Sequence, residues 1–179
     1  DYRKFYVSKK ETGAAKEGVP FELVWMSYLF SNIYSVYGNI NKISNLESNI
    51  DDIYQIIIEF TSGIKCIFIV DVISEPAINE TRIIGDKGII YCDHNIGTIK
   101  IGKGNKWKEV KIKIGKMAKG YKGNTPADST YVEEIKNFLD AITKKSLVKH
   151  TFENEFKLLK VLDAIEISNK KSKKIIIHK

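Results

Sequence analysis

Two strand-like segments set back to back limit this chain more than anything else in it. DIYQIIIEFT (52–61) and IKCIFIVDVIS (64–74) are rich in β-branched residues and flank Ser62-Gly63, a two-residue connection of the kind that closes a β-hairpin. The pattern recurs. NIYSVYGNINKIS (32–44) alternates polar and apolar positions, NETRIIGD (79–86) and GIIYCDH (88–94) meet at Asp86-Lys87-Gly88, and GTIKIGK (97–103) and WKEVKIKI (107–114) meet through Gly104-Asn105. About seven strands joined by such tight turns pair antiparallel, because a parallel neighbour needs a long crossover.

Helical periods bracket the strands. Apolar residues at 19, 23, 26 and 30 predict a helix over Val19–Phe30. Phe21, Trp25, Tyr28 and Leu29 make its other faces apolar too, so it must be covered on more than one side. Thr130 with Glu133 reads as a capping box opening a second helix, with Tyr131, Ile135, Phe138 and Ile142 as its buried stripe. A third begins near Thr151 and repeats Phe152, Phe156, Leu159, Leu162 and Ile165, and IIIH (175–178) offers one more strand. Residues 1–17 read as an irregular opening segment, and GKMAKGYKGNTPA (115–127) as a polar loop suited to motion or interaction. The order of helix, many strands and two helices predicts one α+β domain over 1–179, an open, largely antiparallel sheet with helices on one face.

Composition removes several functions. The net charge of +7 is carried by lysines scattered along the chain, with only Arg3 and Arg82 as arginines. A nucleic-acid surface groups arginines with aromatics, so no specific nucleic-acid partner is expected. No apolar run approaches the ~20 residues that cross a bilayer, and DYRKFYVSKK lacks a secretory signal, so no membrane association is expected. Cys66 and Cys92 lie in strand-like stretches without metal or redox spacing and read as buried thiols of a cytoplasmic protein. His94, His150 and His178 have no metal-ligand spacing, so no metal is expected.

No glycine fingerprint for a dinucleotide follows a strand; GKGNKW (102–107) sits between two strands and reads as a hairpin turn. Two carboxylates do stand out. Asp71 shares a strand face with Ile67 and Ile69, and Glu22 has Trp25, Met26 and Leu29 as its helical neighbours. A carboxylate in apolar surroundings needs a partner, water or a ligand. Each is either a structural group that orients its element or a pocket carboxylate that exchanges protons or holds a polar ligand.

The order of these pieces resembles the C-terminal domain of the glucose–fructose oxidoreductase / inositol dehydrogenase (Gfo/Idh/MocA) family. The pieces are Glu11-Thr12-Gly13-Ala14, the apolar helix ending in Leu29-Phe30, the strand opening at Asp51-Asp52, and the hairpin through Ser62-Gly63. RIIGDKGIIYCD (82–93), YVEEIKNFLDAI (131–142) and the closing LLKVLDAIEISNKKSKKIIIH complete the series. The resemblance implies a missing N-terminal Rossmann half that binds NAD or NADP and supplies a lysine. It implies that this chain forms one wall of a cleft for a sugar, cyclitol or related polyol, with no cofactor of its own. It also implies a homo-oligomer built through the sheet face.

The family carries a histidine on the first helix and an aspartate three residues later. Counted without gaps from Gly13-Ala14, those positions fall on Glu22 and Trp25. The resemblance therefore implies Glu22 as the proton-transfer residue and Trp25 as a flat wall for a sugar ring. Lys9, Lys10, Asp71 and Arg82 are further candidates for substrate contact, Arg82 having the alternative of neutralising a carboxylate in the sheet. The other reading of the whole chain is a non-catalytic ligand-binding or self-association module of the same fold.

Overall fold

Backbone pairing sorts the strands into two antiparallel sheets. The computed structural model describes residues 2–112, 119–120, 128–143 and 145–177, apart from the side chains of 14 and 128–130. It divides into two compact units, one formed by Asp1–Ser74 with His150–Lys179 and the other by Glu75–Lys149.

In the first unit, short 3-10 turns at Tyr2–Lys4 and Tyr6–Ser8 lead to α1 (Ala14–Phe30). β1 (Ile33–Asn41), β2 (Ile53–Phe60) and β3 (Lys65–Asp71) follow, and after the second unit come α3 (Phe152–Lys171) and β8 (Ile175–Ile176). The sheet order is β3-β2-β1-β8. Alternation places Val36, Ile40, Tyr54, Ile56, Ile58, Phe60 and Phe68 on a buried face against α1 and α3. The opposite face carries Tyr37, Ile57 and Ile67 in one cross-strand row, all exposed.

Two contacts hold α3 close to β1. A Cβ on Gly38 would come within 2.8 Å of the Ile165 side chain, so only glycine fits there. Beyond the short β8 pairing, the edge of β1 is satisfied by helix side chains: the Gly38 and Ile40 amides donate to Ser168 Oγ (3.0 Å) and Asn169 Oδ1 (2.9 Å). Buried amides without such acceptors would cost about 1–3 kcal/mol each.

The second unit is a meander, β4 (Glu80–Gly85), β5 (Gly88–Asp93), β6 (Thr98–Lys103) and β7 (Lys106–Lys111), paired in that order, together with α2 (Asp128–Ile142).

The α+β class and the antiparallel pairing are as the sequence predicts, and α1 and α3 pack on one face of the first sheet. The strands are shared between two sheets, with the break at Ser74–Asn79, where Pro76 has no amide to give a ladder. α1 begins at Ala14, earlier than the Val19 expected and inside the segment read as irregular. Ala15 is buried, and Gly18 lets the helix approach β3, where a Cβ would lie 3.0 Å from Val70 Cγ1. The buried residues of α3 are Leu158, Val161, Leu162, Ala164, Ile165 and Ser168, with Phe152 and Phe156 exposed, and Ile165 is the one that meets Gly38. α2 starts two residues before Thr130, and its stripe of Tyr131, Ile135, Phe138 and Ile142 is exposed. Residues 115–118 and 121–127 of the polar loop, and His178, lie outside the described residues.

Candidate functional site

Helix α1 is held at both ends, and that fixes the side chains along it. At its N-terminus the Thr12 hydroxyl donates to the Tyr6 carbonyl (2.7 Å), and Gly13 packs so tightly on Ile50 and the Lys9 carbonyl that a Cβ would meet both at 3.1 Å. In the first turn of α1, Lys16 pairs with Glu166 on α3 at 2.5 Å. At the C-terminus Ser31 adopts φ +89°, a left-handed conformation that favours glycine. The cost is offset by bonds to the β2–β3 turn: Ser31 Oγ lies 2.9 Å from Thr61 Oγ1 and accepts from the Ser62 amide, while Ser62 Oγ donates to the Phe30 carbonyl at 2.6 Å.

On this helix Glu22 and Trp25 stand one turn apart and touch. The indole Nε1 donates to Glu22 Oε2 at 2.5 Å, and both side chains are half-buried. The Trp25 ring packs edge-on against Phe30 at 6.1 Å, and Phe30 against Phe60 at 5.4 Å, so the indole is tied through two rings to the sheet. Glu22 Oε1 has no hydrogen-bond partner among the described residues. Beside the pair, Phe21, Tyr28 and Leu29 are exposed, at 69%, 59% and 65%, leaving an apolar flank on the helix. The pair thus offers one carboxylate oxygen open to a proton and one ring face fixed in orientation.

Each of the other sequence-derived candidates has surroundings of its own. Lys9 and Lys10 are exposed in the turn before α1, with no bond to Glu22 among the described residues. Asp71 ends β3 and turns its carboxylate back on its own chain, accepting from the Ile73 amide (2.9 Å), the Ser74 amide (2.7 Å) and the Ser74 hydroxyl (2.8 Å). Burial pushes that carboxyl up, but these three bonds outweigh it and hold it below the usual carboxylate range. Its role in the fold is a turn cap. Arg82 belongs to the second unit, where it lies over the Tyr91 ring, 5.9 Å from the centroid, and makes no ion pair among the described residues.

One carboxylate escaped sequence reasoning. Asp52 is fully buried and accepts from the Ile43 amide (2.8 Å), the Ser44 amide (3.0 Å) and the Ser44 hydroxyl (2.5 Å), closing the loop between β1 and β2. Burial raises its pKa, and the Ser44 and Ile43 bonds together reverse that and hold it low. An acidic residue before a strand reads as solvated, and only the folded loop reveals otherwise.

The described residues do not fit the pyrophosphate of a dinucleotide. Such groups lie at a glycine-rich turn from strand to helix, whereas Gly85 and Gly88 flank a turn from strand to strand, Gly104 lies in another, and Gly102 is within β6.

Comparison defines the fold first. The neighbours among solved structures are oxidoreductases of the Gfo/Idh/MocA type, and the chain matches about half of each, so the sequence resemblance to one domain of such enzymes holds for the fold. The particular neighbours include levoglucosan dehydrogenase in complex with NADH and levoglucosan, with TM-score 0.80 and 15% identity over 98% of this chain and 54% of that one. An oxidoreductase from Agrobacterium radiobacter in complex with NAD+, L-tartaric acid and magnesium aligns with TM-score 0.74 and 13% identity over 88% of this chain and 47% of that one. The aldose-aldose oxidoreductase from Caulobacter crescentus complexed with glycerol aligns with TM-score 0.66 and 16% identity, over 88% and 45%. No protein-family model and no curated protein matches the sequence. Among the described residues no helix is long and apolar enough to cross a membrane.

Proposed function

We propose that this chain is the substrate-binding half of an NAD(P)-dependent oxidoreductase that acts on the C–OH group of a sugar, cyclitol or related polyol. The observation that carries the reading is the Glu22–Trp25 pair, a carboxylate with one open oxygen held against an oriented indole on a helix fastened at both ends. The nicotinamide, bound by a dinucleotide-binding half outside this chain, supplies hydride acceptance. Glu22 Oε1 takes the hydroxyl proton, returning it in the reverse direction. The Trp25 N–H steadies the carboxylate by hydrogen bonding to Oε2, and its ring face receives the C–H face of the sugar. Lys9, Lys10, Asp71 and Arg82 remain weaker candidates for substrate contact. The exposed flank of Phe21, Tyr28 and Leu29 is the surface such a second domain would cover.

A second reading has its own observation. The open face of the first sheet carries Tyr37, Ile57 and Ile67 in one row with Ile69 beside them, and all four are exposed. That face suits self-association, either as the oligomer contact of the enzyme or as the function of a non-catalytic module.

Titration calorimetry of the full-length protein with NAD(H) and NADP(H), followed by a turnover screen on polyols, separates the two readings. Cofactor binding with turnover abolished by Glu22→Gln supports the enzyme. Turnover untouched by that substitution removes Glu22 from the chemistry.

A further inference from the structure

One face of the second sheet carries an unusual set of side chains. Cross-strand register places Arg82, Tyr91, Lys100 and Glu109 in one row over β4 to β7, and Ile84, Ile89, Gly102 and Trp107 in the next. The opposite face holds Ile83, Ile90, Ile101 and Lys108, with Thr81, Cys92, Ile99 and Val110 in the adjoining row, and is the more apolar one. Trp107 therefore stands on the more polar face, 59% exposed.

Its ring lies down because Gly102 is opposite. A Cβ at Gly102 would come 3.0 Å from both Cη2 and Cζ3 of the indole, so any other residue would lift the ring. Beside it is a concavity of about 670 Å³ lined by Arg82, Ile89, Tyr91, Lys100, Trp107 and Glu109, within the range of small-molecule sites. Tyr91 is fixed from two sides: its hydroxyl donates to Glu80 at 2.8 Å, and the Arg82 guanidinium lies over its ring. Glu80 is thereby engaged with Tyr91. Among the described residues neither Arg82, Lys100 nor Glu109 is in an ion pair.

We propose that this concavity binds a pyranose carrying an anionic group. The flat indole offers its face to the C–H side of a sugar ring. Arg82 and Lys100, two cations across from each other on the strands flanking Tyr91, take the carboxylate or phosphate. Glu109 accepts from the sugar's hydroxyls. Every residue belongs to the second unit, so the proposal does not rest on the roles given to Glu22 and Trp25.

The test is nuclear magnetic resonance of the full chain, following the Trp107 indole N–H and the Arg82, Tyr91 and Lys100 amides. Glucuronate, glucose 6-phosphate, glucose, inorganic phosphate and adenosine monophosphate are titrated in turn. Saturable shifts with glucuronate or glucose 6-phosphate are expected, the tighter of the two identifying the source of the anion, with glucose at least about tenfold weaker. Trp107→Ala and, separately, Lys100→Gln are each expected to weaken binding about tenfold. Lys100 is exposed, so its variant remains informative if Trp107→Ala does not fold. Absence of shifts with both acidic sugars, tighter binding of adenosine monophosphate, or affinity unchanged in Lys100→Gln would overturn the proposal.

Discussion

The Trp25 indole N–H and the Glu22 carboxylate are bonded at 2.5 Å across a single helical turn. A bond between side chains three residues apart draws on a geometry the helix already provides, so little further ordering is needed to make it. If a dinucleotide-binding half completes the enzyme as proposed, Glu22→Gln in that full protein is expected to lower kcat by about 10²–10⁴-fold with KM little changed. Trp25→Phe keeps the ring and removes the donor, so its effect on kcat is expected to be smaller and to alter the pH–rate profile. Steady-state kinetics over pH measure both.

Asp52→Ala leaves the Ile43 and Ser44 amides without their acceptor. The expected loss is about 2–3 kcal/mol in urea unfolding.

Stability should also fall in acid. The folded-state pKa values of Asp52 and Asp71 are both lowered, so near the unfolded value of about 3.9 the unfolded chain binds more protons than the folded one. Their contribution is complete above that pH and is lost as pH falls through the folded values. Asp52→Asn is expected to flatten the decline of unfolding free energy below about pH 4, measured by denaturant titration at successive pH values.

Gly38→Ala forces a methyl into the Ile165 carbonyl and side chain, at 2.7 and 2.8 Å. A loss of about 1–3 kcal/mol is expected, with Ser168→Ala losing about 1–2 kcal/mol through the stranded Gly38 amide. Thermal melts of the two variants check this.

If the open face of the first sheet joins copies of the chain, light scattering at micromolar concentration will give a dimer or larger. Ile57→Lys and Ile67→Lys, both on exposed positions of one row, will then give the monomer mass without loss of secondary structure.

Local signals carried the strands well. Ser62-Gly63 sits in the observed turn between Phe60 and Lys65, and Thr151 caps α3 by accepting from the Asn154 amide at 3.3 Å. What failed was phase and partnership. The expected and observed stripes of α3 share Leu162 and Ile165 and part toward the helix start, where Phe152 and Phe156 are exposed while Leu158 and Val161 are buried. Alternation tells which side of a strand is apolar, not which strands share a sheet, so the division at Pro76 was not legible. At the candidate site, Glu22 and Trp25 were identified by resemblance and spacing. The Asp52 loop closure and the Gly102–Trp107 contact depend on residues brought together across turns, for which the sequence has no local mark.

The first unit is built from Asp1–Ser74 and His150–Lys179, with the second unit between them. During synthesis the meander of β4 to β7 can pair as each hairpin emerges, because its contacts are between neighbours in the chain. The first unit must wait. Its core lacks Leu158, Val161, Leu162 and Ile165, and the β1 edge lacks Ser168 and Asn169, until the last part of the chain has been translated. At about 5–20 residues per second that leaves β1 to β3 without α3 for several seconds. A chaperone that shields nascent strands would find its natural window there, between translation of Ser74 and of Asn169.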